Sequence, residues 1–257
     1  MRLNPISRRS FSKISTASLL ISLLASVQAQ SKSNGKLLII GGAEDRQNER
    51  VILKKFIDLS GGSKARLKFI LAASSDPASV WSSYSSAFNG LDATNIEPIA
   101  LLSREDAYKP EVVASILAAD GIFMTGGDQS RLMAELWETP AFQAVHQVFH
   151  VNGICIAGTS AGAAVMSRQM IAQGQAPIIT EKDVVSFDIG LGLVTMAIID
   201  QHFSQRRRLT RLLSALAQRP DLLGVGIDEN TGLIITVNES IEVIGDGSVT
   251  KIGRAHV

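Results

Sequence analysis

Apolar positions along the chain fall into two alternating kinds of stretch. Continuous runs at 37–40, 67–72, 96–101, 121–124 and 154–157 have the length of strands buried on both faces. Between them lie stretches with helical spacing: 51–59, a segment following Pro77, 110–118, 129–137 and 140–150. Further on, 196–199, 225–227 and 233–237 read as strands and 206–217 as a helix. Glycine-bounded strands alternating with helices predict an α/β fold, a mostly parallel sheet sandwiched by helices. No repeat or low-complexity tract interrupts the pattern, and the one linker is at 30–35. A single domain from residue 30 to 257 is therefore expected.

Composition narrows this picture modestly. The chain has 257 residues, enough for one α/β domain with a sizeable core but cramped for two. At 46% hydrophobic and 19% charged it is globular rather than disordered. A formal net charge of +1 provides no field for nucleic acid, so any electrostatic recognition must be local. The single cysteine, Cys155, excludes an intramolecular disulfide and a multi-cysteine metal cluster, and its apolar setting reads as a buried small hydrophobe.

Both ends depart from the globular pattern. Ser7-Arg8-Arg9-Ser10-Phe11-Ser12-Lys13 precedes an apolar stretch from about Ile14 to Val27, and Val27-Gln28-Ala29 then supplies small residues for cleavage. Residues 1–29 thus read as an export signal. The arginine pair resembles a twin-arginine signal, with Ser12 where that pattern prefers leucine. A periplasmic or extracellular location follows, with no stable membrane association once the signal is removed. Residues 252–257, Ile-Gly-Arg-Ala-His-Val, match what a sequencing-adapter read-through would encode. They are expected to be artefactual, and His256 is set aside from the chemistry.

In open α/β sheets ligands bind beyond the carboxyl ends of the strands. The loops predicted there carry Gly41-Gly42-Ala43-Glu44-Asp45, Thr125-Gly126-Gly127-Asp128-Gln129, Gly158-Thr159-Ser160-Ala161-Gly162, Asp200-Gln201-His202 and Asp228-Glu229. The third is a G-x-S-x-G run between an apolar strand and the helix-forming Ala163-Ala164-Val165-Met166. A nucleophile on a strand-to-helix turn has a strained backbone, and small residues two positions either side let the turn close. The hydroxyl of Ser160 would then project beside free amides able to favour negative charge.

Such a serine needs a base. His146 and His150 lie four apart on a predicted helix, but no acidic residue stands between them as in H-E-x-x-H, so they read as a helix face rather than a metal site. His202 follows a buried strand and is the histidine placed to reach Ser160. Asp200, Asp228 and Glu229 are candidates to orient it, and spacing alone splits the role between Asp228 and Glu229.

Taken together, Gly158-Thr159-Ser160-Ala161-Gly162-Ala163, Asp200-Gln201-His202-Phe203 with Arg206, Arg208 and Arg211 behind it, and Gly226-Ile227-Asp228-Glu229 resemble cyanophycinase. This is a serine peptidase group that also includes aspartyl dipeptidase (peptidase E). Gly41-Gly42-Ala43-Glu44-Asp45 and Gly126-Gly127-Asp128-Gln129 fit the same family, and the resemblance spans nearly all of 36–247. It implies a sheet related to class I glutamine amidotransferases, with serine replacing cysteine at the elbow. It implies a triad in the order Ser160, His202, Glu229, unlike the Ser-Asp-His order of α/β-hydrolases. The implied substrate is cyanophycin, a poly-aspartate backbone with arginine joined to each side-chain carboxyl, cut to β-aspartyl-arginine dipeptides.

The resemblance also implies a pocket formed by Gln129, Asp200, Gln201, Arg206, Arg208 and Arg211, with Arg207 on the surface. Asp200 read without the family simply ends its strand. Amides of Gly127 and Ala161 would form an oxyanion hole. No metal or organic cofactor is implied, and a homodimer is. Two other readings follow from the same residues: an α-aspartyl dipeptidase or other acidic-peptide hydrolase, and an exported binding protein whose site is degenerate.

Overall fold

The computed structural model describes residues 35–173, 185–236 and 240–253. The expected signal at 1–29 and His256 lie outside them. Seven strands form the main sheet: β1 (Lys36–Ile40), β2 (Leu67–Ile70), β3 (Ile96–Pro98), β4 (Gly121–Met124), β5 (Cys155–Thr159), β10 (Thr231–Ile235) and β11 (Ile241–Gly245). Their order is β11-β10-β1-β5-β4-β2-β3. The β1, β5, β4, β2 and β3 neighbours pair parallel, whereas β10 and β11 add antiparallel strands at one side. The fold is the mostly parallel α/β sheet that the alternating pattern predicts.

Alternation along each strand sends neighbouring side chains to opposite faces. Leu37, Ile39, Ile122, Met124 and Ile156 point to one side, where α3 (Pro110–Leu117), α4 (Gln129–Leu136), α5 (Pro140–His150) and the short α6 (Ala161–Ala164) pack. Leu38, Ile40, Phe69, Phe123, Cys155 and Ala157 point to the other, against α1 (Val51–Leu59) and α2 (Pro77–Asn89). On this second face Phe69 stands edge-on to Phe88 and stacks on Phe123, with ring centroids 5.1 and 5.6 Å apart. Such aromatic geometry adds about 1 kcal/mol per pair to area burial. Cys155 is buried here, and burial pushes its thiol up to about 12.

Local signals fix where helices begin. Asp76 caps α2 by accepting from Ser79 N, with Pro77 at the first helical position. Asp128 caps α4 through the amides of Ser130 and Arg131, and Thr139 caps α5 through that of Phe142. A smaller sheet, β12-β9-β8, carries β8 (Ala197–Gln201), β9 (Leu223–Ile227) and β12 (Val249–Ile252). Helix α7 (Leu209–Gln218) covers it through Leu212 and Ala215. Strands β6 (Gln169–Gln173) and β7 (Ser186–Ile189) pair antiparallel as a separate two-stranded sheet.

Four strands escaped the sequence pattern. Ser186–Ile189 and Ile241–Gly245 are largely exposed, so no apolar run marks them. Polar side chains likewise punctuate β6 and β12. Ile252, placed in an artefactual tail on sequence grounds, ends β12 in register with Gly224.

Candidate active site

Three connections meet at the carboxyl ends of β1, β5 and β8. Ser160 follows β5 with φ 53° and ψ −111°, a backbone that non-glycine residues adopt only when their surroundings enforce it. Its amide donates to Ile40 O at 3.1 Å, and Ala163 N and Ala164 N close the turn onto its carbonyl. Glycines flank the turn for a steric reason: a Cβ on Gly158 would lie 2.2 Å from Gly162 O, and one on Gly162 would lie 2.2 Å from Met124 O. The helix after this elbow is one turn, so it contributes free amides rather than a long macrodipole.

The nucleophile candidate reaches its base. Ser160 Oγ lies 2.8 Å from His202 Nε2, and His202 Nδ1 lies 2.6 Å from Glu229 Oε1. His202 also has a positive φ, 50°, and its amide donates to Gly41 O at 2.7 Å. Gly42 lies against the imidazole, where a Cβ would stand 2.3 Å from Cε1. Burial holds the His202 pKa below its ordinary 6.5; the hydrogen bond it donates to Glu229 works the other way, and the charges of Arg206 and Arg208 add to the depression.

Asp228 and Glu229, inseparable by spacing, face different partners. Asp228 accepts from the amides of Ser204 and Ser248 at 2.9 and 3.1 Å. Burial opposes its charge, yet these bonds hold the carboxyl below its usual range. It therefore ties the histidine loop to the β12 side, and the carboxylate on His202 is Glu229. The Glu229 amide donates to Gln205 Oε1 at 3.0 Å, a contact that no sequence motif signalled.

Opposite Ser160 runs the turn Thr125-Gly126-Gly127-Asp128. A Cβ on Gly126 would sit 3.3 Å from Ser160 Cβ, so this glycine lets the turn approach the nucleophile. Gly127 has φ +143°, and a Cβ there would meet Ala73 O at 2.1 Å. Among the described residues, no group accepts a hydrogen bond from the amides of Gly126, Gly127 or Ala161. Free donors beside a nucleophile are what a developing oxyanion requires.

Residues 37–244 match the sequence model of peptidase family S51. The chain belongs to this family. It is a serine peptidase, hence a hydrolase. Among curated relatives, the peptidase is 42% identical over 216 residues to cyanophycinase of a Nostoc species, covering 84% of this chain and 72% of that one. Cyanophycinase of Geminocystis herdmanii is 39% identical over 216 residues, covering 84% and 79% respectively. Two solved structures share the fold. One, a peptidase from an acI-B1 Actinobacterium, has TM-score 0.66 and 23% identity, covering 87% of this chain and 96% of the other. The other, a putative peptidase E protein from Listeria monocytogenes, has TM-score 0.58 and 16% identity, covering 83% and 99%.

The residues expected in this peptidase's pocket differ in burial and in their partners. Asp200 is fully buried at the end of β8, where its carboxylate pairs with Arg211 and, at 3.3 Å, with Arg208. Asp200 thus ends its strand, and its single carboxylate is shared by two guanidinium groups. Arg211 is buried, its Nε donating to Asp200 Oδ2 at 3.1 Å. Arg208 is half-buried and also donates to Gln201 O at 2.6 Å; burial first, then the charge of Arg211, lowers its pKa to about 10. Gln201 is buried, whereas Arg206 and Arg207 are exposed. The Gln129 amide nitrogen donates to Ile171 O and Ala172 O at 2.9 and 3.1 Å, tying α4 to β6. His146, read as a helix-face residue, is half-buried with Nε2 2.8 Å from Leu191 O.

Proposed function

We propose that this chain is an exported serine-type exopeptidase that hydrolyses cyanophycin to β-aspartyl-arginine dipeptides through a Ser160, His202, Glu229 triad. The observation carrying the catalytic part is the continuous relay from Ser160 Oγ through both imidazole nitrogens to Glu229 Oε1. Cyanophycin enters through the 42% and 39% identities to curated cyanophycinases.

In this reading Ser160 attacks an aspartyl carbonyl carbon while its proton passes to His202 Nε2. The carbonyl oxygen takes the electron pair and is met by the amides of Ala161 and Gly127, a type of donor worth about 3 kcal/mol each. Glu229 holds the proton on Nδ1 and stabilises the imidazolium. Collapse of the tetrahedral adduct breaks the C–N bond, and His202 returns the proton to the leaving amine. Water then enters by the reverse sequence to release the acyl group and restore Ser160.

The substrate carries an arginine α-carboxylate on each unit. Arg208 and Arg211 pair with one carboxylate, Asp200, and the charge of Arg206 acts on Arg208, so the surplus positive charge suits a substrate carboxylate. Arg206 is the exposed member and the first choice for that contact.

Labelling with a fluorophosphonate tests the nucleophile. Stoichiometric modification of the peptide containing Ser160 is expected, and label on another residue, or none, would remove the triad from the account. Export rests on residues 1–29 and is checked by fractionation, with activity confined to the cytosol as the contrary result. The homodimer implied by the resemblance belongs to the same reading, and light scattering tests it.

A further inference from the structure

The end of β1 and the loop after it touch every segment that carries a triad member. Ile40 O accepts from Ser160 N, Gly41 O from His202 N, and Gly42 O from Asn230 N, the residue after Glu229. Asp45 N donates to Asn230 Oδ1 at 2.8 Å. Within this loop Glu44 is buried, with 3% of its surface exposed. Its Oε2 accepts from Thr159 Oγ1 at 2.5 Å, and its Oε1 accepts from the hydroxyl of Tyr84 on α2.

Among the described residues no lysine or arginine pairs with Glu44. A buried carboxylate held by two neutral hydroxyls is an expensive way to join three segments, and a packed apolar contact would serve a purely structural need better. Its position suggests another use. Thr159 has the same strand parity as Cys155 and Ala157, so its side chain lies on the α1 and α2 face of the sheet while its backbone leads directly into Ser160. The backbone at Ser160 is strained, and strain persists only where surrounding contacts over-determine it. One tether is the bond from Ser160 N to Ile40 O; the Glu44–Thr159 bond is a second, on the preceding residue.

We propose that Glu44 is a positioning residue that, through the Thr159 hydroxyl, fixes the Ser160 elbow at the geometry needed for attack. This rests on Ser160 being the nucleophile. Tyr84 anchors the far side of the carboxylate and keeps its proton: burial, then the adjacent Glu44 charge, raises its pKa well above the ordinary range.

The test compares Thr159→Val, Thr159→Ser, Glu44→Ala and the Glu44→Ala, Thr159→Val double variant. Active sites are titrated with a fluorophosphonate, so that kcat is expressed per competent molecule and a partly folded preparation still reports. Thr159→Val is expected to lower kcat per titrated site about 10-fold with KM unchanged, because small displacements of a reacting group are costly. Thr159→Ser, which keeps the hydroxyl, should stay within about 2-fold of the parent, and the double variant should lose no more than the worse single variant. The proposal is overturned if Thr159→Val lowers thermal stability alone, if Thr159→Ser is as impaired as Thr159→Val, or if the two losses multiply. Absence of label on Ser160 in the parent protein would overturn the triad reading and this inference together. Label on the parent with an unimpaired Thr159→Val would overturn this inference alone.

Discussion

Replacing Gly42 with alanine isolates the contact that seats the catalytic imidazole. The new methyl would stand 2.3 Å from His202 Cε1, 2.5 Å from Nε2 and 3.0 Å from Nδ1. Ordinary contact starts near 3.4 Å, so the ring or the loop must retreat by about 1 Å, a displacement that costs on the order of 100-fold in rate at a reacting group. The ring cannot retreat freely, because its backbone amide is bonded to Gly41 O at 2.7 Å and its Nδ1 to Glu229 at 2.6 Å. The 2.8 Å contact with Ser160 is therefore the one to open. Alanine at φ +103° adds backbone strain of about 1–3 kcal/mol, which lowers thermal stability without touching chemistry. Gly62→Ala separates the two effects: φ there is +93°, and a Cβ would meet nothing within 4 Å. Both variants should lose stability, while only Gly42→Ala should lose kcat, by about 100-fold, and react slowly with a fluorophosphonate. Folded Gly42→Ala with kcat within about 2-fold of the parent would refute this account of how His202 is placed.

Ser160→Ala should lower kcat by at least about 1,000-fold while leaving the thermal midpoint close to that of the parent, measured by turnover and circular dichroism. Asp200→Asn removes the carboxylate facing Arg208 and Arg211 in a fully buried setting, so urea unfolding should report a loss of about 3–5 kcal/mol. The depressed pKa of His202 keeps the imidazole neutral to lower pH, so the acid limb of kcat/KM should fall below pH 6.5. The stability linked to this neutral form is complete above 6.5 and is lost as pH falls through the folded-state value. Because the charge of Arg206 contributes to the depression, Arg206→Gln should move the limb upward; an unmoved or lowered limb counts against that contribution.

Much of this arrangement was legible in the sequence because apolar runs and glycines report directly on buried strands and tight turns. The runs ending at Ile40, Met124 and Ala157 marked β1, β4 and β5, and the G-x-S-x-G spacing located the Ser160 elbow. Periodicity says nothing about exposed strands, and Ser186–Ile189 was invisible for that reason. Nor does it say which of two adjacent carboxylates faces a given partner; Asp228 and Glu229 separate only when Ser204, Ser248 and His202 are in place. The arginines show the same limit. The family resemblance put Arg208 and Arg211 near the site but could not show that both pair with Asp200. Glu44 stood in a recognised motif, but its partners Tyr84 and Thr159 lie 40 and 115 residues away along the chain.

The central claim is tested most directly by incubating the purified protein with insoluble cyanophycin and identifying soluble products by mass. The account predicts release of β-aspartyl-arginine by the parent protein and none by Ser160→Ala. Absence of release from folded parent protein whose Ser160 accepts a fluorophosphonate would contradict the substrate assignment and turn the search to small aspartyl peptides. Release that survives Ser160→Ala would contradict the catalytic assignment itself.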